Sequence, residues 1–141
     1  MKIVINGCFD RFHAGHKHII AKALEWSRYG ELLVLINSDN SVQKLKGPNR
    51  PIDTFLIRVE NIKTFRRYSC PNHNLMHVVK FDTEEQLESL INNFKPDLIL
   101  KGNDRPDTRE IIGSINWPVC IIPRIKDKNG NDISTTKGIL K

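Results

Sequence analysis

Hydrophobic residues recur along this chain in two alternating rhythms. Short, nearly unbroken apolar runs occupy residues 2–6, 31–36, 76–81, 97–100 and 118–122. Runs of that length, rich in Val, Ile and Leu, predict strands covered on both faces. Between them the apolar positions fall at helical spacing. Residues 15–29 place Ile19, Ile20, Ala23, Leu24 and Trp26 on one stripe with Lys17, Lys22, Glu25 and Arg28 outward, and Gly30 is expected to end the helix as its C′ residue. Residues 53–66, capped by Asp53 or Thr54, carry Leu56, Ile57, Val59, Ile62 and Phe65. A further helix opens at Asp82-Thr83-Glu84-Glu85, buries Leu87, Leu90, Ile91 and Phe94, and stops at Lys95-Pro96. Short helices are expected over 107–113 and after Ile133. Residues 39–51 and 68–75 read as loops.

Strands alternating with helices imply a parallel sheet joined by right-handed crossovers. The expected fold is α/β: a single Rossmann-like, doubly wound, five-stranded parallel sheet of order 3-2-1-4-5, helices on both faces, with residues 1–141 as one domain. Ligands of such sheets bind beyond the carboxyl ends of the strands, where the strand order switches. The polar clusters that follow the predicted strands therefore share one edge: Gly7 to His16, Asn37-Ser38-Asp39 with Lys46, Lys101-Gly102-Asn103-Asp104, and Arg124.

The first cluster organises the rest. Gly7-Cys8-Phe9-Asp10-Arg11-Phe12-His13-Ala14-Gly15-His16 stands between strand and helix. Strand, glycine turn and helix form a phosphate-binding crossover, in which the free N–H groups of the helix start face an anion. His13 and His16, three positions apart, can face one phosphate together. The same pair with Cys8 and His18 is also compatible with a metal, but no CxxC or second histidine pair completes a zinc set.

These residues resemble the G-x-F-D-x-x-H-x-G-H signature of the cytidylyltransferase-like nucleotidyltransferases. The resemblance extends along the chain. Asn37-Ser38-Asp39, Leu45 to Pro51 and Arg58 look like the adenylyltransferase domain that makes activated heptose. Lys101-Gly102-Asn103-Asp104 matches that family's K-G-x-D, while Ile133-Ser134-Thr135-Thr136-Lys137 is similar to the I-S-T-T-x-I element of glycerol-3-phosphate cytidylyltransferases. The spacing departs from the latter: residues 125–132 separate Arg124 from Ile133, and Asp132 replaces a glycine. The resemblance implies transfer of AMP or CMP from a nucleoside triphosphate to a phosphorylated sugar or polyol, with loss of pyrophosphate. It implies catalysis by His13, His16 and Lys46, and nucleotide binding by Gly7, Cys8, Phe9, Asp10, Gly15, Lys101, Gly102, Asp104, Arg124, Ser134, Thr135 and Thr136. Asp39, Lys44 and Arg58 are implied at the acceptor, Mg²⁺ rides on the phosphates rather than on protein ligands, and the protein is a homodimer. The middle of the chain leans toward ATP and the tail toward CTP.

Composition trims the alternatives. No apolar run in the 141 residues is long enough to span a bilayer, and the first residues do not read as a signal peptide. Three scattered cysteines, Cys8, Cys70 and Cys120, argue against a disulfide framework and for a reduced, cytoplasmic protein. The net charge of +6 suits anionic substrates, but the basic residues are dispersed without interleaved aromatics, so nucleic acid is not expected as a partner. The competing class is a non-catalytic nucleotide-binding regulator on the same fold.

Overall fold

A computed structural model describes residues 1–102 and 111–123. Its elements run β1 (Lys2–Gly7), α1 (Ala14–Trp26), β2 (Glu31–Asn37), α2 (Asp39–Lys46), α3 (Phe55–Ser69), β3 (Met76–Phe81), α4 (Glu84–Phe94), β4 (Leu98–Gly102) and β5 (Val119–Ile122). The strands form one parallel sheet of order β3-β2-β1-β4-β5, as the pattern predicts.

Alternation along each strand divides the core into two layers. Ile3, Ile5, Leu32, Val34, Ile36 and Leu100 meet Ile20, Ala23 and Leu24 of α1 and Ile62 of α3. Val4, Leu33, Leu35 and Ile99 meet Leu87 and Ile91 of α4 on the other face. Residues 33–35 are therefore all apolar because neither face of the sheet is wet. The order reverses at β1, with β2 on one side and β4 on the other. That reversal opens the crevice into which the β1–α1 turn projects.

Several expectations are corrected. Residues 39–46 are helix α2 rather than loop: Ser38 caps it by accepting from the Ser41 N–H at 3.0 Å, Asp39 lies in its first turn, and Lys44 and Lys46 in its last. The first helix ends at Trp26 with Ser27 as its cap. Gly30 is not its C′ residue; a Cβ there would stand 2.2 Å from the Met1 carbonyl oxygen, so the glycine admits the start of the chain. Trp26, Leu56 and Ile57, expected on buried faces, are exposed, and α3 anchors itself instead through Ile62 and the buried Arg58. Residues 111–116 form turns, and the remainder of the short helix expected over 107–113 lies outside the described residues, as does the last helix. No helix among the described residues is long and apolar enough to cross a membrane.

Candidate active site

The turn after β1 is bent by two non-glycine residues in left-handed conformation, Phe9 (φ 53°) and Arg11 (φ 52°). Gly7 makes room for the first of them, since a Cβ there would lie 3.3 Å from the Phe9 ring. Phe9 is buried and meets His16 edge-on at 5.4 Å, while Phe12 stacks on it at 5.9 Å. The sequence offered Phe9 as a nucleotide contact; the structure makes it a support for a histidine.

His13 is the N-cap of α1, and His16 its third residue. The His13 Nδ1 accepts the Gly15 N–H at 3.0 Å, and the His16 Nδ1 accepts the His13 N–H at 3.4 Å. The two form a capping box, a motif usually built from a hydroxyl and a carboxylate or amide. A nitrogen that accepts carries no proton, so each neutral ring bears its hydrogen on Nε2. The rings stack 3.8 Å apart. Burial, then the neighbouring charges of His13 and Lys46, lower the His16 pKa to about 3. Burial and Lys46 lower that of His13 as well. At neutral pH both are uncharged N–H donors.

The His16 shift has a stability consequence. Below its unfolded pKa of 6.5 the unfolded chain takes up a proton that the native His16 refuses until pH falls to about 3. Native stability should therefore fall as pH drops through that window, by at most about 2 kcal/mol between pH 6.5 and 5 from this group. Urea unfolding of the wild type and His16→Gln at both pH values checks this; the variant should lose that part of the slope.

Lys46 closes α2 and is exposed, and its charge is felt at Cys8, His13 and His16. Lys44, two residues earlier, projects from the opposite side of the helix. Lys101, near the end of β4, donates to the Asn6 side-chain oxygen at 3.0 Å and its charge also reaches Cys8. Gly102 ends the same strand. The half-buried Cys8 thus sits among three cations, Lys46, Arg58 and Lys101, although burial still pushes its thiol pKa up. Asn6 escaped the sequence reading. A polar residue closing an apolar strand beside Lys101 was the available signal.

Asp10 and Arg58 build the site without lining it. Burial alone would raise the Asp10 pKa, but the N–H groups of Asp53 and Ile52, both at 2.8 Å, and Arg50 at 3.0 Å hold it below the ordinary value. Its carboxylate binds the β1–α1 turn to the segment before α3. Arg58 is fully buried. It donates to the carbonyls of Cys8 and Asn37 (2.8 Å each) and Asp53 (3.1 Å), and to the Asp39 carboxylate (2.7 Å). Asp10, expected in the nucleotide site and as a carboxylate that fixes the turn by accepting backbone N–H groups, does accept them, while Arg58, expected at the acceptor, ties separate segments together. Asp39, still half exposed, shares one oxygen with Arg58. Asp104, Arg124, Ser134, Thr135 and Thr136 lie outside the described residues. No three His, Cys, Asp or Glu side chains gather as a metal site among the described residues.

One sheet edge therefore presents two neutral imidazoles, two lysines and a helix start, an arrangement that accepts phosphates. The profile of the cytidylyltransferase-like family matches residues 4–140. The chain belongs to that family. By that membership it is a nucleotidyltransferase. It is 35 % identical to the bifunctional protein HldE of Syntrophotalea carbinolica over 136 residues, which is 93 % of this chain and 26 % of the relative. It is 38 % identical to HldE of Campylobacter concisus, covering 99 % of this chain and 26 % of that protein. The chain thus spans about a quarter of these relatives. Among solved structures, the lipopolysaccharide core biosynthesis protein of Thermoplasma volcanium shares the fold, with a TM-score of 0.59 and 21 % identity over 95 % of this chain and 98 % of that one.

Proposed function

We propose that this protein transfers an adenylyl group from ATP to a heptose phosphate and releases pyrophosphate. The similarity to HldE proteins over most of the chain supports the substrate class. The observation that carries the chemistry is the histidine capping box at the switch point, in which both Nδ1 atoms accept backbone N–H groups and the ring protons sit on Nε2.

An acceptor phosphate oxygen is already nucleophilic, so no serine, cysteine or strong base is required. That oxygen forms a bond to the α-phosphorus, the bond to the bridging oxygen of the leaving group breaks, and pyrophosphate departs with the electron pair. The protein must align two anions and stabilise charge on the α-phosphate and leaving group. Neutral imidazoles suit the first task, because each donates a hydrogen bond without exchanging a proton at neutral pH. The cationic Lys46 and Lys101 offset the accumulating negative charge. Because Asp10 is saturated and Asp39 is partly engaged by Arg58, magnesium here would be carried on phosphate oxygens, shielding their charge. The family resemblance further supports a homodimer, which sedimentation would test directly.

Lys46→Ala should lower kcat by about a hundredfold with a small change in ATP affinity, because its work is done in the transition state. Its exposure means the variant should unfold as the wild type does. Pyrophosphate release from ATP, CTP, GTP and UTP with heptose phosphate and glycerol 3-phosphate tests the substrate assignment. Turnover with ATP and heptose phosphate supports it, whereas a preference for CTP and glycerol 3-phosphate replaces it.

A further inference from the structure

Two neighbouring strands turn polar at the same level of the sheet. β1 is apolar and fully buried at Ile3, Val4 and Ile5, then gives way to the half-buried Asn6, one residue before Gly7. β4 is apolar and fully buried at Ile99 and Leu100, then gives way to the half-buried Lys101. The strands run parallel, with Ile3 beside Leu98 and Val4 beside Ile99. Carried two residues further, that register sets Asn6 beside Lys101. Val4 and Ile99 pack in the layer against α4, so by alternation Asn6 and Lys101 stand on that same side. The pair bridges β1 and β4, the strands between which the order reverses.

The Lys101 ammonium donates to the Asn6 side-chain oxygen at 3.0 Å and to the Asn6 carbonyl at 3.4 Å. An ammonium only donates, so the amide oxygen and not its nitrogen is the atom turned toward it. Both bonds go to one residue, and they bring a charge that belongs to β4 onto the end of β1. Its field is felt at Cys8, two residues further along the turn. The holding side chain is neutral. A carboxylate in its place would grip the ammonium more strongly and offset its charge. An amide fixes the position and leaves the positive charge available to an anion.

We propose that Asn6 is a positioning residue for nucleotidyl transfer, holding the Lys101 ammonium at the end of β1 so that its charge acts on the polyphosphate. Asn6 works through Lys101 and does not itself touch substrate. This deepens the function proposed above and rests on it. A lysine stem is flexible and loses rotamer freedom when its head is fixed. Asn6 fixes that head before substrate arrives, so the ordering is not left to the binding step. A charge already in place also needs no rearrangement as negative charge develops on the phosphates.

The test compares the full-length wild type with Asn6→Asp, Asn6→Ala, Lys101→Met and the double variant of Asn6→Ala with Lys101→Met. Pyrophosphate release gives kcat, calorimetry gives the affinity for inorganic tripolyphosphate, and urea unfolding gives stability. Asn6→Asp should be as stable as the wild type, because a carboxylate still accepts from the ammonium, yet lose about tenfold or more in kcat and in tripolyphosphate affinity. Asn6→Ala should lower both by about tenfold, as expected for one lost hydrogen bond to a charged group. In the double variant the alanine should take nothing beyond the loss caused by Lys101→Met, since the group it positions is gone. Wild-type kcat and affinity in Asn6→Asp, or an alanine loss of equal size with and without Lys101, would overturn the proposal. Unfolding of Asn6→Asp would make the residue structural. If only Asn6→Ala fails to fold, Asn6→Asp decides alone. A wild type that binds tripolyphosphate but transfers no nucleotidyl group removes the proposed reaction instead, and the affinities still decide the role of Asn6. A wild type that does not bind tripolyphosphate overturns both.

Discussion

His16→Glu should fold as the wild type does and lose kcat by three orders of magnitude or more. The reason lies in the double duty of this side chain. Its Nδ1 caps α1 by accepting the His13 N–H, which puts its proton on Nε2, the proposed donor to phosphate. Glutamate at the third helical position is the ordinary partner in a capping box, and an anion there also suits the helix N-terminus. The substitution therefore keeps the structural half of the role. It removes the donor to the phosphates and sets a negative charge where negative charge must be stabilised. Losing one such donor costs about 10²–10³ in kcat, and the repulsion adds to that. Pyrophosphate release and urea unfolding measured on the same preparation separate the two roles. A fully active His16→Glu would remove imidazole from the chemistry, and an inactive but unfolded one would make its role one of capping.

Arg58→Met should be the most destabilising single change at the site, by about 3–5 kcal/mol in urea unfolding at neutral pH. The guanidinium is fully buried and donates to groups from four segments: Cys8 after β1, Asn37 at the end of β2, Asp39 at the start of α2, and Asp53 before α3. Methionine fills the space of the aliphatic stem but leaves three carbonyls without this donor and a carboxylate without its counter-charge. A domain stable by some 5–15 kcal/mol would survive only marginally. Arg58→Lys should recover little, because one ammonium cannot reproduce a fork whose nitrogens point at separate segments. If Arg58→Met instead kept full stability and lost only acceptor affinity, the residue would be a substrate contact after all.

Much of this was legible in the residues. Apolar runs such as Leu32 to Ile36 announce a strand covered on both faces, and one such run after another forces a parallel sheet with its ligand edge at the strand ends. The histidine motif marked the start of α1 because its spacing belongs to a helix start. What stayed hidden depended on tertiary partners. Helix α2 has a good cap and well-placed charges, but Val42 is its only fully buried apolar residue, too little for a periodic signal. The resemblance implied Arg58 at the acceptor; only the meeting of carbonyls from distant segments shows why it is buried. Leu56 and Ile57 fit a helical stripe by spacing, yet Arg58 claims the inward position beside them. The tautomers of His13 and His16 could not be read at all until the acceptors of two backbone N–H groups were known.

In the proposed mechanism two neutral imidazoles, both capping α1 through Nδ1, donate from Nε2–H to a triphosphate. Long-range ¹H–¹⁵N spectra at pH 7, recorded before and after addition of α,β-methylene ATP, test it most directly. The expected result is Nε2–H tautomers for both rings, with the Nε2–H signals moving on binding and the Nδ1 signals holding still. Charged rings, protons on Nδ1, or Nε2–H signals that ignore the nucleotide would contradict it.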